Sequence, residues 1–362
     1  MSPSKVDRYR DEIHRLDQEI LRLARRRTDV AAAIGRFKQQ HGLPVRDFEA
    51  ERDVLALTEE RCREYGLDPT VGRQITRALI SGAVQVQEQL RESRHDGSLQ
   101  RISILGGKGK MGRWLAHYMH SRGHRVTIHD PAGRLPGFRN TNSFERACRQ
   151  ADIVLLSVPL RTAANVLRRI RRLKPRGTII DLFSLKTPAL DQIQAAISEG
   201  LSVSSIHPLF GPDVFLLSDR ILLICPCGDE AADRKARELF QGTSLEVVTV
   251  KVTEHDRAMG IVLGLTHAVN IVFTEALSRS GMSGREVRRL ATTTYLKQAR
   301  TSSEVAHENP RLYHEIQNLN RYSPEVYALF EQAFAAFQAA AAKRNPSSFV
   351  AMMRRGRRFY EQ

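Results

Sequence analysis

The sequence predicts a multidomain protein of α and α/β class, with an all-helical N-terminal part, a doubly wound parallel sheet and a helical C-terminal part. Apolar residues recur at three- and four-residue spacing over residues 5–93, which is the period of a helix face. Short apolar runs then alternate with helix-length segments up to residue 252, as in a parallel sheet covered by helices. From residue 253 onward the helical period returns.

The N-terminal part is predicted to contain three helices, at about residues 5–40, 47–65 and 68–91. Glycine and proline interrupt the apolar pattern at residues 41–44, and glycine does so again at residues 65–66. The polar segment 92–100 that follows is typical of a linker.

Two basic residues lie on the apolar face of the first helix, where charged side chains are unusual. Arg27 and Lys38 are eleven residues apart in sequence, so they point the same way, about 16 Å apart along the axis. Because a buried cation without a counter-ion costs several kcal/mol, an anion is expected between them. The gap suits a small dianion, and an ion pair with a carboxylate of a neighbouring helix is the alternative.

Arg10 lies on the edge of the same apolar stripe. It precedes Arg27 by 17 residues, about 25 Å along a straight helix, which is too far for both to hold one small ligand. If all three cations serve one site, Arg10 comes from a partner subunit. The sequence therefore predicts an interlocked dimer of long helices.

The central part is predicted to form a sheet, followed by a second helical part that opens with a capping sequence, Thr253 to Asp256. We expect that second helical part to dimerise. The predicted domains are residues 1–93, a linker at 94–100, the sheet domain at 101–252 and the C-terminal domain at 253–362. The predicted strands are residues 102–105, 126–128, 153–158, 178–182, 203–206, 221–224 and 245–250.

A glycine-rich loop connects the first predicted strand to a helix. Its glycines match G-x-G-x-x-G in the strand–turn–helix context that binds a dinucleotide pyrophosphate, as in a Rossmann-like domain. Asp130, at the end of the second strand, can accept both ribose hydroxyls and would repel a 2′-phosphate, which favours NAD over NADP, although Arg134 leaves NADP open. A glycine turn without a ligand is the alternative. The predicted cofactor-binding residues are Gly107, Gly109, Lys110, Met111, Gly112, Asp130 and Ser157.

His207 opens the segment His-Pro-Leu-Phe-Gly-Pro-Asp at the C-terminal end of a predicted strand, where ligands bind in doubly wound sheets. An imidazole there can take a proton from a hydroxyl while a hydride leaves for a nicotinamide. Ser184, at the end of another strand, could orient that ring. His267 is a packed core histidine or a substrate contact, and His255 is interpreted as part of a helix cap.

Lys and Arg number 56 against 40 Asp and Glu, a formal net charge of +16, which fits either acidic small substrates or a nucleic acid. The chain lacks zinc-ligand spacing and an aromatic RNA-binding motif, and aromatic residues make up only 6% of it, so acidic substrates are favoured. Its four cysteines form no metal or disulfide framework. With no signal peptide and no run of 18 apolar residues, we expect a soluble cytoplasmic protein.

These motifs together resemble the bifunctional chorismate mutase–prephenate dehydrogenase family over nearly the whole chain. The resemblance implies that chorismate rearranges to prephenate in the N-terminal domain, and that NAD-dependent oxidation with loss of CO2 then gives 4-hydroxyphenylpyruvate for tyrosine synthesis. It implies that Arg10 and Arg27 hold the chorismate carboxylates, and that His207 is the base with Ser184 as its orienter. The other mutase residues that it implies are Lys38 and Gln87 at the ether oxygen and Asp47 and Glu51 near the hydroxyl.

Two positions depart from the family pattern. Ala50 stands where the family commonly has arginine, and Glu304 stands where it has a substrate-binding arginine, a role that Arg300 one turn earlier could fill. Two alternatives follow. The dehydrogenase could act on arogenate or, in a secondary pathway, the chain could act on 4-amino-4-deoxychorismate and its prephenate analogue. Otherwise, the mutase domain could be a degenerate regulatory domain.

Overall fold

The computed structural model describes residues 5–41, 47–92, 99–214, 217 and 220–361. Its N-terminal part contains three helices, α1 (Lys5–Gln40), α2 (Phe48–Glu64) and α3 (Pro69–Glu92), as the apolar periodicity predicts. The first predicted joint and most of the predicted linker, residues 42–46 and 93–98, lie outside the described residues. Helices α1 and α3 approach closely at Gly35, where an added Cβ would lie 2.7 Å from Cγ of Gln87.

The predicted apolar stripe of α1 is exposed in the single chain. Ile13, Leu16, Ile20 and Leu23 keep between 53% and 59% of their surface accessible. Farther along the helix, Ala31 is buried. Apolar side chains that stay exposed do not contribute the free energy of burial to the stability of the chain. This face therefore requires a partner surface.

One eight-stranded sheet forms the centre of the molecule, with strand order β3-β2-β1-β4-β5-β6-β7-β8. All seven predicted strands are confirmed, and the two-residue strand β3 was not predicted because it is too short to carry a pattern. The strands are β1 (Arg101–Leu105), β2 (Arg125–His129), β3 (Arg139–Asn140), β4 (Ile153–Leu156), β5 (Thr178–Asp181), β6 (Val203–Pro208), β7 (Ile221–Cys225) and β8 (Glu246–Thr249).

The sheet is parallel from β3 to β6, and β7 then pairs antiparallel with β6. Strand β8 runs parallel to β7, so the last two strands oppose the rest. The expectation of a parallel sheet is therefore wrong at this edge, because a buried apolar run has the same pattern in either direction. Because β1, β4, β5 and β6 run parallel to one another, their C-terminal ends lie at one edge of the sheet.

Helices cover both faces of this sheet, and each face has its own apolar core. Cys148 and Cys225 are fully buried within it, Cys62 is buried in the N-terminal part, and Cys227 is half-buried; all four are free thiols, as expected. The helices are α4 (Lys110–Ser121), α5 (Phe144–Arg149), α6 (Leu160–Leu173), α7 (Leu190–Ser198) and α8 (Glu230–Glu238).

The C-terminal part is helical, but its first helix does not begin with the predicted cap. Helix α9 begins at Val252, and the preceding residue, Lys251, makes no side-chain capping hydrogen bond. The interpretation of Thr253 to Asp256 as a cap is therefore wrong. The elements are α9 (Val252–Met259), a π-helical segment (Gly260–Leu265), α10 (Thr266–Ser278), α11 (Gly284–Arg289), α12 (Thr293–Ala306), α13 (Pro310–Leu319), α14 (Ser323–Ala341) and α15 (Ser347–Tyr360).

The π-helical segment joins α9 directly to α10 and is held from outside. Gln317 of α13 donates its Nε2 hydrogen to the carbonyl oxygen of Gly264 at 2.9 Å. Tyr327 of α14 donates to Oε1 of the same glutamine at 2.7 Å. The carbonyl oxygen of Gly264 thus accepts a hydrogen bond from a side chain of another helix.

The continuous helix Val252–Ser278 is long and apolar enough, by length and composition alone, to cross a membrane, and it is the one such helix among the described residues. It also carries His255, Asp256 and His267, all of them buried. Ile261, Val262, Ile271 and Val272 expose between 45% and 53% of their surface. Exposed apolar residues of this kind are also typical of a dimer interface.

Candidate functional site

The glycine-rich loop has the shape that a dinucleotide pyrophosphate needs. An added Cβ on Gly107 would lie 2.6 Å from Cγ2 of Ile128, and one on Gly112 would collide with the carbonyl oxygen of Gly106. Helix α4 begins at Lys110 without a side-chain cap, so Lys110, Met111 and Gly112 form a first turn whose N–H groups are open to an anion. The loop therefore fits a bound dinucleotide.

Asp130 follows β2 beside this loop. Its Oδ2 accepts a hydrogen bond from the backbone N–H of Lys108 and its Oδ1 one from that of Ala132, both at 2.8 Å. Ser157 lies at the end of β4, where its backbone N–H donates to Leu105 at 2.9 Å. Three of the predicted cofactor elements thus meet at one edge of the sheet, at the ends of β1, β2 and β4.

His207 lies near the C-terminal end of β6 and is buried, with 5% of its surface accessible. Its Nδ1 is 3.0 Å from Nε2 of His255, and Nδ1 of His255 is 2.7 Å from Oδ1 of Asp256. His255 is fully buried, so its interpretation as part of a cap is wrong. The three side chains form a hydrogen-bonded row, which we call the histidine relay.

Asp256 is held on every side. Its Oδ1 accepts the backbone N–H of Lys186 at 2.7 Å, and its Oδ2 accepts that of Thr187 at 2.5 Å. Asn320 donates its Nδ2 hydrogen to the backbone carbonyl of Asp256 at 2.8 Å. The carboxylate therefore joins α9 to the segment after β5, and this fixes the direction of the relay.

Burial favours the neutral form of both histidines in the histidine relay. It lowers the pKa of His207 well below the ordinary value, and the neighbouring His255 and Lys186 lower this pKa further. Burial also lowers the pKa of His255, against the opposing effect of its hydrogen bond to Asp256. Burial alone would raise the pKa of Asp256, but its hydrogen bonds from His255, Thr187 and Lys186 hold that pKa below its usual range. The relay thus pairs a neutral imidazole with an anchored carboxylate.

Lys186 is fully buried beneath the relay. Its ammonium donates to Oδ1 of Asp181 at 2.8 Å, to the carbonyl of Phe183 at 2.9 Å and to that of Ile206 at 2.8 Å. These contacts tie the end of β5 to the residue before His207. In the sequence, the signal for this role is weak, a lysine five residues after a strand aspartate.

The other predicted redox residues lie in different surroundings. Ser184 is half-buried after β5, and no hydrogen bond joins it to His207 among the residues that the structure describes, so its role stays a prediction. The ring of His267 stacks on that of Tyr313 at 4.1 Å. Burial lowers the pKa of His267, and within the described part of the chain its Nδ1 has no hydrogen-bond partner.

Arg300 lies on an exposed face of α12. Its side chain is 84% accessible, and its Nε is 3.3 Å from Oε1 of Glu304 one turn later. Within the described part of the chain, no hydrogen bond or ion pair connects Arg300 with His207 or His267, so its role in binding substrate stays a prediction.

In the N-terminal part, two of the predicted mutase residues lie where α1 and α3 pack together. The half-buried Arg27 donates from Nη1 to the carbonyl oxygen of Leu79 at 2.7 Å. Gln87 keeps 8% of its surface accessible, and its Oε1 has no hydrogen-bond partner in the described residues. Lys38 is half-buried on the same helix as Arg27.

The remaining predicted mutase residues lie at the surface or at a helix start. The side chain of Arg10 is 75% accessible, and its Nη1 lies 3.5 Å from Oδ1 of Asp7. Asp47 caps α2 by accepting the backbone N–H of Ala50 at 3.1 Å, and Glu51 is half-buried in the first turn of that helix. Asp47 therefore has a structural role in the single chain, whatever it does towards a ligand.

Three family models match the chain in order. Residues 9–88 match chorismate mutase type II, residues 132–249 the nucleotide-binding domain of prephenate dehydrogenase, and residues 251–355 its dimerization domain. The chain belongs to the bifunctional chorismate mutase–prephenate dehydrogenase family. The glycine-rich loop precedes the second match, so its assignment depends on the geometry given above. The exact domain boundaries stay a prediction.

Individual relatives agree with this family. The chain is 22% identical over 352 residues to the T-protein of Enterobacter agglomerans, which covers 97% of this chain and 92% of that one. It is 30% identical over 88 residues to a chorismate mutase of Methanocaldococcus jannaschii, covering 24% of this chain and 89% of the relative. A probable arogenate/prephenate dehydrogenase of the same organism is 26% identical over 70% of this chain, which spans 59% of its length.

The fold of the dehydrogenase part is also found in solved structures. The prephenate dehydrogenase from A. aeolicus superposes with a TM-score of 0.59 at 17% identity, covering 73% of this chain and 99% of that one. This similarity confirms the predicted fold class, a sheet domain followed by a helical domain.

Proposed function

We propose that the chain catalyses two consecutive reactions of tyrosine biosynthesis, the rearrangement of chorismate to prephenate and the oxidative decarboxylation of prephenate to 4-hydroxyphenylpyruvate. The observation that carries the second reaction is the buried, neutral His207 held by His255 at the end of β6. The first is supported by Arg27 and Gln87 in the groove between α1 and α3.

The mutase reaction needs positioning rather than a nucleophile. Arg27 and Lys38 supply positive charge along one face of α1, and the carboxylates of chorismate are the expected counter-ions. The amide of Gln87, whose Oε1 is unsatisfied, can rotate to donate its N–H to the ether oxygen as negative charge develops there. Asp47 and Glu51 are proposed to lie near the substrate hydroxyl.

The site is completed by a second copy of the chain. Arg10 lies about 25 Å from Arg27 along α1, on the edge of the exposed apolar stripe of Ile13, Leu16 and Ile20. If two such stripes pack against each other, Arg10 of one copy can reach the groove of the other. We therefore propose a homodimer through the helical parts, acting in the cytoplasm.

The dehydrogenase reaction uses His207 as base. Its Nδ1 faces His255, so its Nε2 is the atom left to accept the proton of the prephenate C4 hydroxyl. Removing that proton as the hydride departs allows the ring carboxylate to leave as CO2. The relay to Asp256 keeps the imidazole in one tautomer and stabilises it once it is protonated. Ser184 and His267 are proposed to orient the ring and the substrate.

The cofactor is NAD, held by Gly107, Gly109 and the first turn of α4, with Asp130 at its ribose. Bound there, the nicotinamide ring supplies the hydride acceptor. Ser157, at the end of β4, lies next to the glycine loop through its bond to Leu105 and is proposed to contact the bound dinucleotide.

A second substrate is favoured by one observation. Arg300, proposed to bind a substrate carboxylate, has its charge offset by Glu304 at 3.3 Å. A carboxylate at this place would attract an amino group, as in arogenate or 4-amino-4-deoxyprephenate. Comparing kcat/KM for the three substrates, in the parent chain and in Glu304→Gln, tests this. A preference for the amino-bearing substrate that disappears in Glu304→Gln would establish the second candidate.

The main proposal is tested by two assays on one preparation, chorismate consumption and NADH formation from prephenate. Lys38→Ala is expected to stop the first reaction only, and His207→Asn the second only. Arg36→Ala, which removes a cation from an exposed position of the same helix, is the matched control and should leave both rates unchanged. Absence of either reaction in the parent chain would contradict that half of the proposal.

A further inference from the structure

Lys108 spans the groove in which the adenosine half of the dinucleotide is expected. It lies between Gly107 and Gly109, and its backbone N–H donates to Asp130 at 2.8 Å. Its ammonium extends to the turn after β2 and donates to the carbonyl oxygen of Ala132 at 2.6 Å. The side chain therefore joins the glycine loop to the turn after Asp130, the two elements that enclose an adenosine ribose.

The charges at this end of the groove do not exclude a phosphate. Both oxygens of Asp130 already accept backbone N–H groups at 2.8 Å, so part of its charge is met by the protein. Against this one carboxylate stand the ammonium of Lys108 and the exposed Arg134, four residues after the aspartate. The expectation from the sequence weighed Asp130 against Arg134 and did not include the ammonium of Lys108.

The ammonium lies next to a residue that has no side chain. Gly133 has a φ of +110°, a conformation suited to glycine, and an added Cβ there would lie 3.6 Å from Nζ of Lys108. The lysine now binds a neutral carbonyl oxygen. Exchanging that acceptor for a phosphate oxygen gives a charge-assisted hydrogen bond, which is about twice as strong, and the four-carbon stem of lysine is flexible enough for the exchange.

We propose that Lys108 forms a subsite for the 2′-phosphate of adenosine, so that this dehydrogenase binds NADP as well as NAD. The inference rests on the proposed dehydrogenase function and adds a second cofactor to it. Asp130 still accepts the ribose hydroxyls of NAD, and Lys108 meets the additional phosphate of NADP.

Isothermal titration of the full chain with NAD, NADP and 2′-AMP tests the proposal. Replacing Lys108 by Met removes the charge and keeps the apolar stem; we expect the Kd values for NADP and 2′-AMP to rise about tenfold or more. The Kd for NAD should change less than about twofold, which also shows that the variant is folded. Lys108→Gln, which keeps a donor for Ala132, should behave like Lys108→Met.

Two further variants separate this role from a general effect of charge. Lys343→Met removes the same charge from an exposed position after α14 and should leave all three Kd values unchanged. If Arg134→Met weakens NADP binding and Lys108→Met does not, the subsite belongs to Arg134 and the proposal is overturned. Failure of NADP and 2′-AMP to bind the parent chain also overturns it. If the parent chain then still binds NAD and oxidises prephenate, the proposed function stands. If it does neither, the proposed function is refuted as well.

Discussion

Nε2 of His255 lies 3.0 Å from Nδ1 of His207, and both rings are buried. This contact connects the first turn of α9 to the end of β6, two elements separated by 48 residues in sequence. The proposed base is therefore oriented by a histidine of the C-terminal helical part, and Asp256 of the same helix fixes that histidine in turn.

Replacing His255 by Asn is expected to lower kcat for prephenate oxidation about 10- to 100-fold, because the base loses the partner that sets its tautomer. The Kd for NAD, measured by titration, should stay within about twofold of the parent value. Chorismate mutase activity of the same sample is the internal control. His117→Asn, at an exposed position of α4, is the matched variant. A kcat near that of the parent would contradict the role of the relay.

The pH dependence of the dehydrogenase should follow the lowered pKa of His207. Only the neutral ring can accept a proton, and burial, His255 and Lys186 all lower this pKa below 6.5. The kcat/KM for prephenate should therefore hold steady as the pH falls from about 8 to about 6.5 and decline only at lower pH. A decline that begins above pH 7 would indicate that His207 is not neutral in the free enzyme.

Lys186→Met is expected to destabilise the sheet domain by about 3–5 kcal/mol, because Asp181 would remain buried as an uncompensated charge. The double variant Lys186→Met with Asp181→Leu should recover much of this loss, since it removes both charges. Urea unfolding followed by fluorescence of Trp114, the single tryptophan, reports on this domain. Equal destabilisation in the single and double variants would show that the ion pair is not the cause.

Gln87→Glu is expected to make the mutase reaction depend on acid. A carboxylate cannot donate a hydrogen bond to the ether oxygen, whereas a protonated carboxyl group can. The rate of chorismate rearrangement should fall about 100-fold near neutral pH and recover as the pH is lowered. The parent chain, assayed over the same pH range, is the control. A variant that is equally slow at all pH values would argue for simple disruption of the groove between α1 and α3.

Local sequence pattern was sufficient for most of the fold and for part of the candidate site. The glycine loop and Asp130 could be found because they belong to one strand–turn–helix unit, and His207 because it lies near the end of an apolar strand. The seven longer strands carry continuous apolar runs. The antiparallel direction of β7 could not be found, because residue pattern does not depend on chain direction.

The histidine relay and its contact with the backbone of Lys186 were missed for a different reason. His255 lies 48 residues from His207 in sequence, and Lys186 lies 70 residues from Asp256, so nothing in the local pattern connects them. The residues Thr253 to Asp256, near the start of α9, also match a capping sequence. That local pattern led to the interpretation of His255 as part of a cap and hid its tertiary contact. Arg10 differs again, since its proposed partner lies on another copy of the chain.

The π-helical segment between α9 and α10 explains how one helix can present both His255 and His267 inward. In a regular α-helix, two residues twelve positions apart point about 120° away from each other. A π turn takes up one additional residue, which reduces the difference to about 20°. A chain shortened by one residue within Gly260–Leu265 would regain regular α-helical geometry, and both imidazoles would keep their present directions. This stretch is therefore the place in the dehydrogenase where a single-residue deletion should be tolerated.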